Sequence, residues 1–94
     1  MIYALKFTAF HTDNDVSITI EPVTYTTKDD LQKDHEVYDT YDDGASHWLV
    51  VSQDLKGQQE IMDLQEVERE TQVAHHMDSG YFMSSKEYLG FLPF

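Results

Sequence analysis

Apolar and polar residues alternate with a period of two along the first quarter of the chain, which is the pattern of half-buried β-strands. The alternation predicts a first strand at residues 2–10 and a second strand from residue 16 onward, joined by a polar turn. Pro22 interrupts the second strand, so we expect its continuation through Tyr25 to lie at a sheet edge. Residues 47–53 have a nearly continuous apolar centre, which predicts a third strand that is buried on both faces.

The second half of the chain mixes strand and helix patterns. Residues 58–63 are predicted as a short fourth strand, and residues 64–77 have the apolar spacing of a helix. Residues 81–83 are expected to add an edge strand after that helix ends. Ser84 and Glu87 have the spacing of a capping box, which predicts a short helical turn at this point.

Residues 28–43 combine strong acidity with a helical apolar pattern. At 100° per residue, four apolar side chains fall within about a third of the helix circumference, and we expect them to form a buried stripe. These side chains are Leu31, Val37, Tyr38 and Tyr41. Thr27 has the residue type of an N-cap, and Gly44 has that of a left-handed C-terminal stop. The segment is therefore predicted to be a helix and not a disordered acidic tail.

Together these elements predict a small α+β fold, an antiparallel sheet of three to four strands with two helices, in a single domain over residues 1–94. With 40% hydrophobic residues the chain can build a core, in which we expect Trp48 to lie. No apolar run approaches the roughly 20 residues of a membrane span, and no signal-peptide pattern precedes the first strand. The absence of cysteine excludes disulfides, so we expect a cytoplasmic protein with no membrane partner.

The net charge of −12, from eighteen acidic and six basic residues, exceeds the magnitude of about 2–8 that is usual for a small soluble domain. Such a surface repels nucleic acid and anionic membranes, and it attracts basic protein surfaces and divalent cations. We therefore expect a basic protein partner and no direct binding to nucleic acid. Solubility alone is the alternative reason for the excess charge.

The acidic residues do not form a recognisable metal-binding motif. Asp39 opens a stretch with acid at loop positions one and five and glycine at six, but Tyr41 and Val50 stand where an EF-hand needs oxygen ligands. His75 and His76 are adjacent, so on a helix they diverge by about 100° and do not readily share a metal ion. No serine-hydrolase, P-loop or dinucleotide-binding motif occurs. We predict no metal, no cofactor, no catalytic residue and no enzymatic activity.

Two acidic rows are the candidate partner-binding residues. The first row holds seven carboxylates against one lysine: Asp29, Asp30, Asp34, Glu36, Asp39, Asp42 and Asp43. The second row consists of Glu60, Asp63, Glu66, Glu68 and Glu70. Fifteen helical residues span about 22 Å, so the net −6 of the first row gives one charge per roughly 4 Å, against about 3.4 Å per phosphate in one DNA strand. A rigid body with both rows is expected to compete with DNA for the lysines and arginines of a DNA-binding protein.

The chain resembles the Arn anti-restriction-nuclease family of T-even phages, within the group of small acidic phage proteins that imitate DNA. The resemblance rests on the length, on the start MIYALKFTAF, and on the acidic runs DDLQKDHEVYDTYDD and EIMDLQEVERE. It implies a phage-encoded protein in the host-cell cytoplasm that inhibits the restriction enzyme McrBC by occupying its DNA-binding surface. It also implies a possible homodimer and no catalytic residue, because such proteins act by occupancy.

Two other functions stay open from the residues alone. A small acidic regulatory module without DNA mimicry would bind its partner through a sheet edge or through the apolar C-terminal residues 90–94, GFLPF. That tail is expected to dock either on the body of the protein or on another subunit. A CRISPR inhibitor would use the acidic rows in the same way against a different target.

Overall fold

Four strands form one antiparallel sheet in the computed structural model, which describes residues 1–41 and 43–90, and of Thr40 only the backbone. They are β1 (Ile2–His11), β2 (Val16–Tyr25), β3 (Ala45–Ser52) and β4 (Phe82–Ser84), in the order β2-β1-β3-β4. β2 is an edge strand, as Pro22 predicts, but it continues through Pro22 without the expected interruption. The predicted α+β class is confirmed, whereas the prediction for the C-terminal tail falls on residues 91–94, outside the described residues.

Four helices accompany the sheet: α1 (Lys28–Thr40), α2 (Leu55–Asp63), α3 (Glu66–Asp78) and α4 (Ser85–Leu89). The predicted cap of α1 is present, because the Thr27 hydroxyl accepts a hydrogen bond from the Asp30 amide at 3.2 Å. The helix ends three residues earlier than predicted, since Tyr41 is already extended. Gly44 has the expected positive φ of 82°, but it lies in the turn that leads into β3.

The predicted strand at residues 58–63 is wrong, because these residues belong to α2. A local signal explains the helix: the Asp54 carboxylate accepts a hydrogen bond from the Gly57 amide at 3.0 Å and so caps the first turn. Gly57, Gln58 and Ile61 then face inward at helical spacing. The Gln58 side chain donates to the main-chain carbonyls of Ala4 and Val23, at 2.8 and 2.9 Å, and ties α2 to β1 and β2.

The sheet lies between two layers of helices. The cluster on one face contains Ile2, Ala4, Tyr25, Leu31, Leu49 and Val51, with Tyr38, Tyr88 and Leu89 packed against it. The cluster on the other face contains Leu5, Phe7, Val50, Ile61, Val73 and Phe82. Thus α1 and α4 cover one face, and α2 and α3 cover the other. The prediction that β3 is buried on both faces is therefore confirmed for residues 49–52, whereas Trp48 in the same strand is exposed.

The inward side of α1 differs from the apolar stripe that the sequence predicts. Leu31 is fully buried and Tyr38 is half-buried, as expected, but Val37 and Tyr41 are 52% and 53% exposed. Positions three and four after Leu31 are half-buried and hold Asp34 and His35. The helix therefore presents a regular i, i+3, i+4, i+7 face to the sheet, with polar residues at the two middle positions. The predicted stripe is displaced around the helix from the observed inner face, because the prediction considered apolar residues alone.

The cap of α2 gives a testable titration. The Tyr81 hydroxyl donates to the Asp54 carboxylate, which lowers the pKa of Asp54 and raises the pKa of Tyr81 to about 12. Because the raised tyrosine pKa favours the neutral phenol and the lowered aspartate pKa favours the carboxylate in the folded state, this stabilisation is complete between about pH 4 and pH 10. It is lost as the pH rises through 12 and as the pH falls through the lowered Asp54 pKa. We expect Asp54→Asn to lower the Tyr81 pKa toward 10 in an ultraviolet titration of the phenolate band. The titration step that is missing in Tyr81→Phe is the one that belongs to Tyr81. An unchanged Tyr81 pKa in Asp54→Asn would contradict the assignment of the raised pKa to the Asp54 hydrogen bond.

Candidate partner-binding surface

The first acidic row follows α1 for most of its length. Asp29, Asp30, Glu36 and Asp39 are exposed. The Glu36 carboxylate accepts a hydrogen bond from the side-chain amide of Gln32 at 3.2 Å, one turn earlier. Asp29 and Glu36 lie on the side of the helix opposite the buried Leu31, and Asp30 and Asp39 flank them on either side. Asp42 of the predicted row lies outside the described residues.

Asp34 differs from its neighbours, because it is half-buried and lies on the side of α1 that faces the sheet. Burial raises the pKa of Tyr25 above its usual range, and the Asp34 carboxylate beside the phenol raises it further. The structure therefore places the Asp34 charge next to the core and not on the outer face of the helix.

Asp43 lies after α1 and organises the start of β3. Its carboxylate accepts a hydrogen bond from the Ala45 amide at 3.0 Å and one from His47 Nε2 at 2.9 Å. The His47 hydrogen bond, followed by the Ala45 bond, holds the Asp43 pKa below its usual value. His47 Nδ1 lies 3.4 Å from Thr8 Oγ1, so a neutral ring can accept from Thr8 and donate to Asp43. Asp43 is exposed, but its carboxylate is already used within the fold.

The second row is divided between two helices. Glu60 and Asp63 are exposed on α2, and Glu66, Glu68 and Glu70 are exposed on α3. The helices break between Asp63 and Glu66, where the Arg69 guanidinium donates to the carbonyls at the end of α2, those of Met62 and Leu64. Glu66 and Glu70 lie one turn apart beside β2, whereas Glu68 points away from them by about 160°. The Glu60 carboxylate lies 3.5 Å from His76 Nε2. The second row therefore changes direction where α2 ends and α3 begins, and its carboxylates do not lie along one straight helix.

The two rows lie on opposite faces of the sheet, because α1 packs on one cluster and α2 and α3 pack on the other. Packed layers are about 10 Å apart, so the helix axes on the two faces are separated by roughly 20 Å. The molecule measures 37 × 30 × 24 Å. The fold thus leaves four carboxylates of the first row exposed along α1, divides the second row between α2 and α3, and does not bring the two rows onto one flat surface.

Several basic residues are occupied elsewhere in the fold. Lys6 pairs with Glu21 at 3.6 Å and lies over the Tyr38 ring at 4.8 Å, and Lys28 lies over the Tyr88 ring at 5.1 Å. Arg69, in the middle of the second row, is directed to the carbonyls that end α2. These three side chains therefore stabilise the fold, and their charges are directed away from the outer face of α1.

A cleft of about 270 Å³ adjoins the first row and was not predicted from the sequence. It lies between α1, β3, α4 and the end of α3, and its lining includes His35, Asp39, Trp48, Met77 and Ser85. The His35 Nδ1 and Ser85 Oγ atoms are 2.7 Å apart and join α1 to α4.

Trp48 was expected in the core and instead lines this cleft. One side of its ring stacks on Phe7, with a centroid distance of 4.9 Å, but 39% of the residue is exposed. The sequence carried no signal for this exposure, because it depends on where β4 ends.

Among residues 1–41 and 43–90, no three histidine, aspartate or glutamate side chains are grouped closely enough to hold a metal ion. No helix in those two ranges is both long and apolar enough to cross a membrane. Comparison with protein-family models, with curated proteins and with solved structures finds no match to this chain.

Proposed function

We propose that this protein is a DNA mimic that inhibits a bacterial defence nuclease, such as a restriction enzyme of the McrBC type, by occupying its DNA-binding surface. The observation that carries the proposal is the row of exposed carboxylates along α1, at Asp29, Asp30, Glu36 and Asp39. The partner is a basic protein surface, and no cofactor or catalytic residue is required.

The spacing of these charges supports the proposal. Asp29 and Glu36 are two turns apart on nearly the same side of α1, about 10 Å along the axis, which matches the distance between two phosphates that are three intervals of about 3.4 Å apart on one DNA strand. Asp39 follows one turn later. The carboxylates on α2 and α3 lie on the far side of the sheet, so a nuclease that surrounds its DNA would meet negative charge on both sides of this protein.

Rigidity and net charge contribute in different ways. The row is held on a capped helix packed on a buried core, so its carboxylates need little ordering when they meet a partner. The charge of −12 attracts a basic groove from a distance and speeds encounter, in a manner that salt weakens. Because phosphate contacts supply essentially all of non-specific DNA affinity, a mimic of phosphates alone can compete.

Competition with DNA is the direct test. We expect the protein to inhibit a modification-dependent restriction nuclease on DNA that carries modified cytosine, with a half-inhibiting concentration that rises in proportion to the DNA concentration. In a gel-shift assay, added protein should release DNA from the nuclease, and this release should weaken as salt is raised. A stable ternary complex, or inhibition that excess DNA does not relieve, would reject the mimicry mechanism.

A further inference from the structure

The edge of β3 next to β4 is open over part of its length. β4 pairs only with residues 50–52 of β3, and among the described residues no strand pairs with residues 45–49 on that side. The main-chain N–H of Gln53 donates to the Tyr81 carbonyl at 3.1 Å. This bond shows which residues of β3 direct their main-chain groups toward the β4 side. In an antiparallel pair every second residue bonds to the same neighbour, so the main-chain groups of His47 and Leu49 point toward the open side.

The cleft lies in line with the point where β4 stops. β3 contributes His47 to Val50 as its floor, and Ser84, Ser85 and Lys86 close the end nearest β4. Tyr38 and Asp39 of α1 form one wall, and Met77 at the end of α3 lies on the other side of the sheet. Four to five extended residues, about 15 Å at 3.3 Å per residue, match the unpaired part of β3.

The lining indicates the chemistry of an occupant. Trp48 and Met77 are each 39% exposed and offer apolar contact surface in the cleft. Asp39 lines the wall formed by α1, and the whole chain is strongly negative. An extended segment with apolar side chains on one face and arginine or lysine on the other would satisfy the open strand edge, the apolar surface and the carboxylate together.

We propose that the open edge of β3 binds an extended, basic segment of a partner protein by strand addition. The His47 and Leu49 main-chain groups form the ladder with the segment, Trp48 and Met77 contact its apolar side chains, and Asp39 pairs with a basic side chain. This inference does not depend on DNA mimicry, since it concerns a peptide and can be tested without a nuclease.

Trp48 is the only tryptophan, so its fluorescence reports on the cleft. We expect the peptide acetyl-Val-Arg-Val-Arg-Val-amide to change the emission of the full chain with a dissociation constant of about 100 µM, and to shift the His47 and Leu49 amide resonances. Replacing the arginines with glutamates, or methylating alternate peptide nitrogens to block the ladder, should weaken binding at least about tenfold. Two peptides with opposite alternating sets of methylated nitrogens are compared, because only one set points toward β3. If both bind as well as the unmethylated peptide, strand addition is overturned.

A variant pair tests the carboxylate. Asp39→Asn should weaken binding of the arginine peptide about threefold and leave the glutamate peptide no weaker. Asp13→Asn makes the same charge change in the exposed turn between β1 and β2 and should have no effect on either peptide. Equal loss in both variants would show that net charge alone attracts the peptide, and the assigned site would be wrong.

Hydrogen exchange of the free protein tests other occupants. The His47 and Leu49 amides should exchange at least about tenfold faster than those of Trp48 and Val50, which face β1. Slow exchange of His47 and Leu49 at every protein concentration would mean that this chain fills its own edge. Slow exchange only in concentrated samples would mean that a second copy fills it. Either result would overturn the proposal.

Discussion

Gly57→Ala is expected to destabilise the fold by about 2 kcal/mol, although alanine is the better helix former by roughly 1 kcal/mol. A Cβ atom at this position of α2 would lie 2.7 Å from Tyr81 Cε1, 2.9 Å from Phe82 Cε1 and 3.2 Å from Ser52 Cβ. Neither ring moves easily, because Phe82 is buried and the Tyr81 hydroxyl is bound to Asp54. The helix must therefore move away from the sheet, and contacts around Ile61 loosen with it.

Thermal and urea unfolding measure this effect. We expect a fall in the melting temperature of about 10 °C for Gly57→Ala, since 1 kcal/mol corresponds to roughly 4–8 °C in a domain of this size. Gln59→Ala introduces the same residue at an exposed position of the same helix and should change the melting temperature by less than about 2 °C. A Gly57→Ala protein as stable as the parent would mean that α2 is not held this close to β4.

Charge reversal on α1 should have the largest effect on function. Changing Asp29, Glu36 and Asp39 to lysine takes the net charge from −12 to −6 and places three cations against a basic groove. We expect the half-inhibiting concentration against the nuclease to rise at least about 100-fold, because each like-charge contact is repulsive at close range. Asp43 is left unchanged, since its carboxylate holds Ala45 and His47 in place.

A matched variant separates the row from the net charge. Asp13, Asp78 and Glu87 are exposed and lie outside both acidic rows, so their change to lysine gives the same net charge of −6. We expect this control to weaken inhibition by less than about tenfold, through slower encounter alone. Circular dichroism and melting curves should show that both triple variants are folded. Equal loss of inhibition in the two variants would argue for a general charge effect and against mimicry by α1.

Tertiary packing also decided which acidic residues face outward. Composition identified all twelve carboxylates of the two rows, but only the packed structure shows that Asp34 faces the sheet and that Asp43 accepts bonds from β3. These differences could not be predicted, because the side of a helix that is buried depends on what the sheet offers. His35, for example, is held on the inner side of α1 by Ser85, fifty residues away.

The sequence by itself determined the elements that depend on local spacing. Strands β1 and β2, the Thr27 cap of α1, and the Ser84 cap of α4 all appear in the structure, although β1 is buried on both faces and not on one face as its alternation predicts. These features need only neighbouring residues, so their signals lie within a few positions of each other. The α2 helix also carried such a signal in Asp54, which the apolar pattern alone did not reveal.

Only the tertiary structure decided how the acidic rows and the cleft are arranged. The rows lie on opposite faces because α1 and α2 pack on alternate side chains of the same strands, a choice made by distant contacts. The cleft exists because β4 has only three residues and leaves half of β3 uncovered, which exposes Trp48. Long-range pairing sets both features, since strand partners thirty or more residues apart leave no periodic signal in either segment. The sequence therefore predicts the amount of negative charge, whereas the arrangement of the acidic rows in space depends on the tertiary structure.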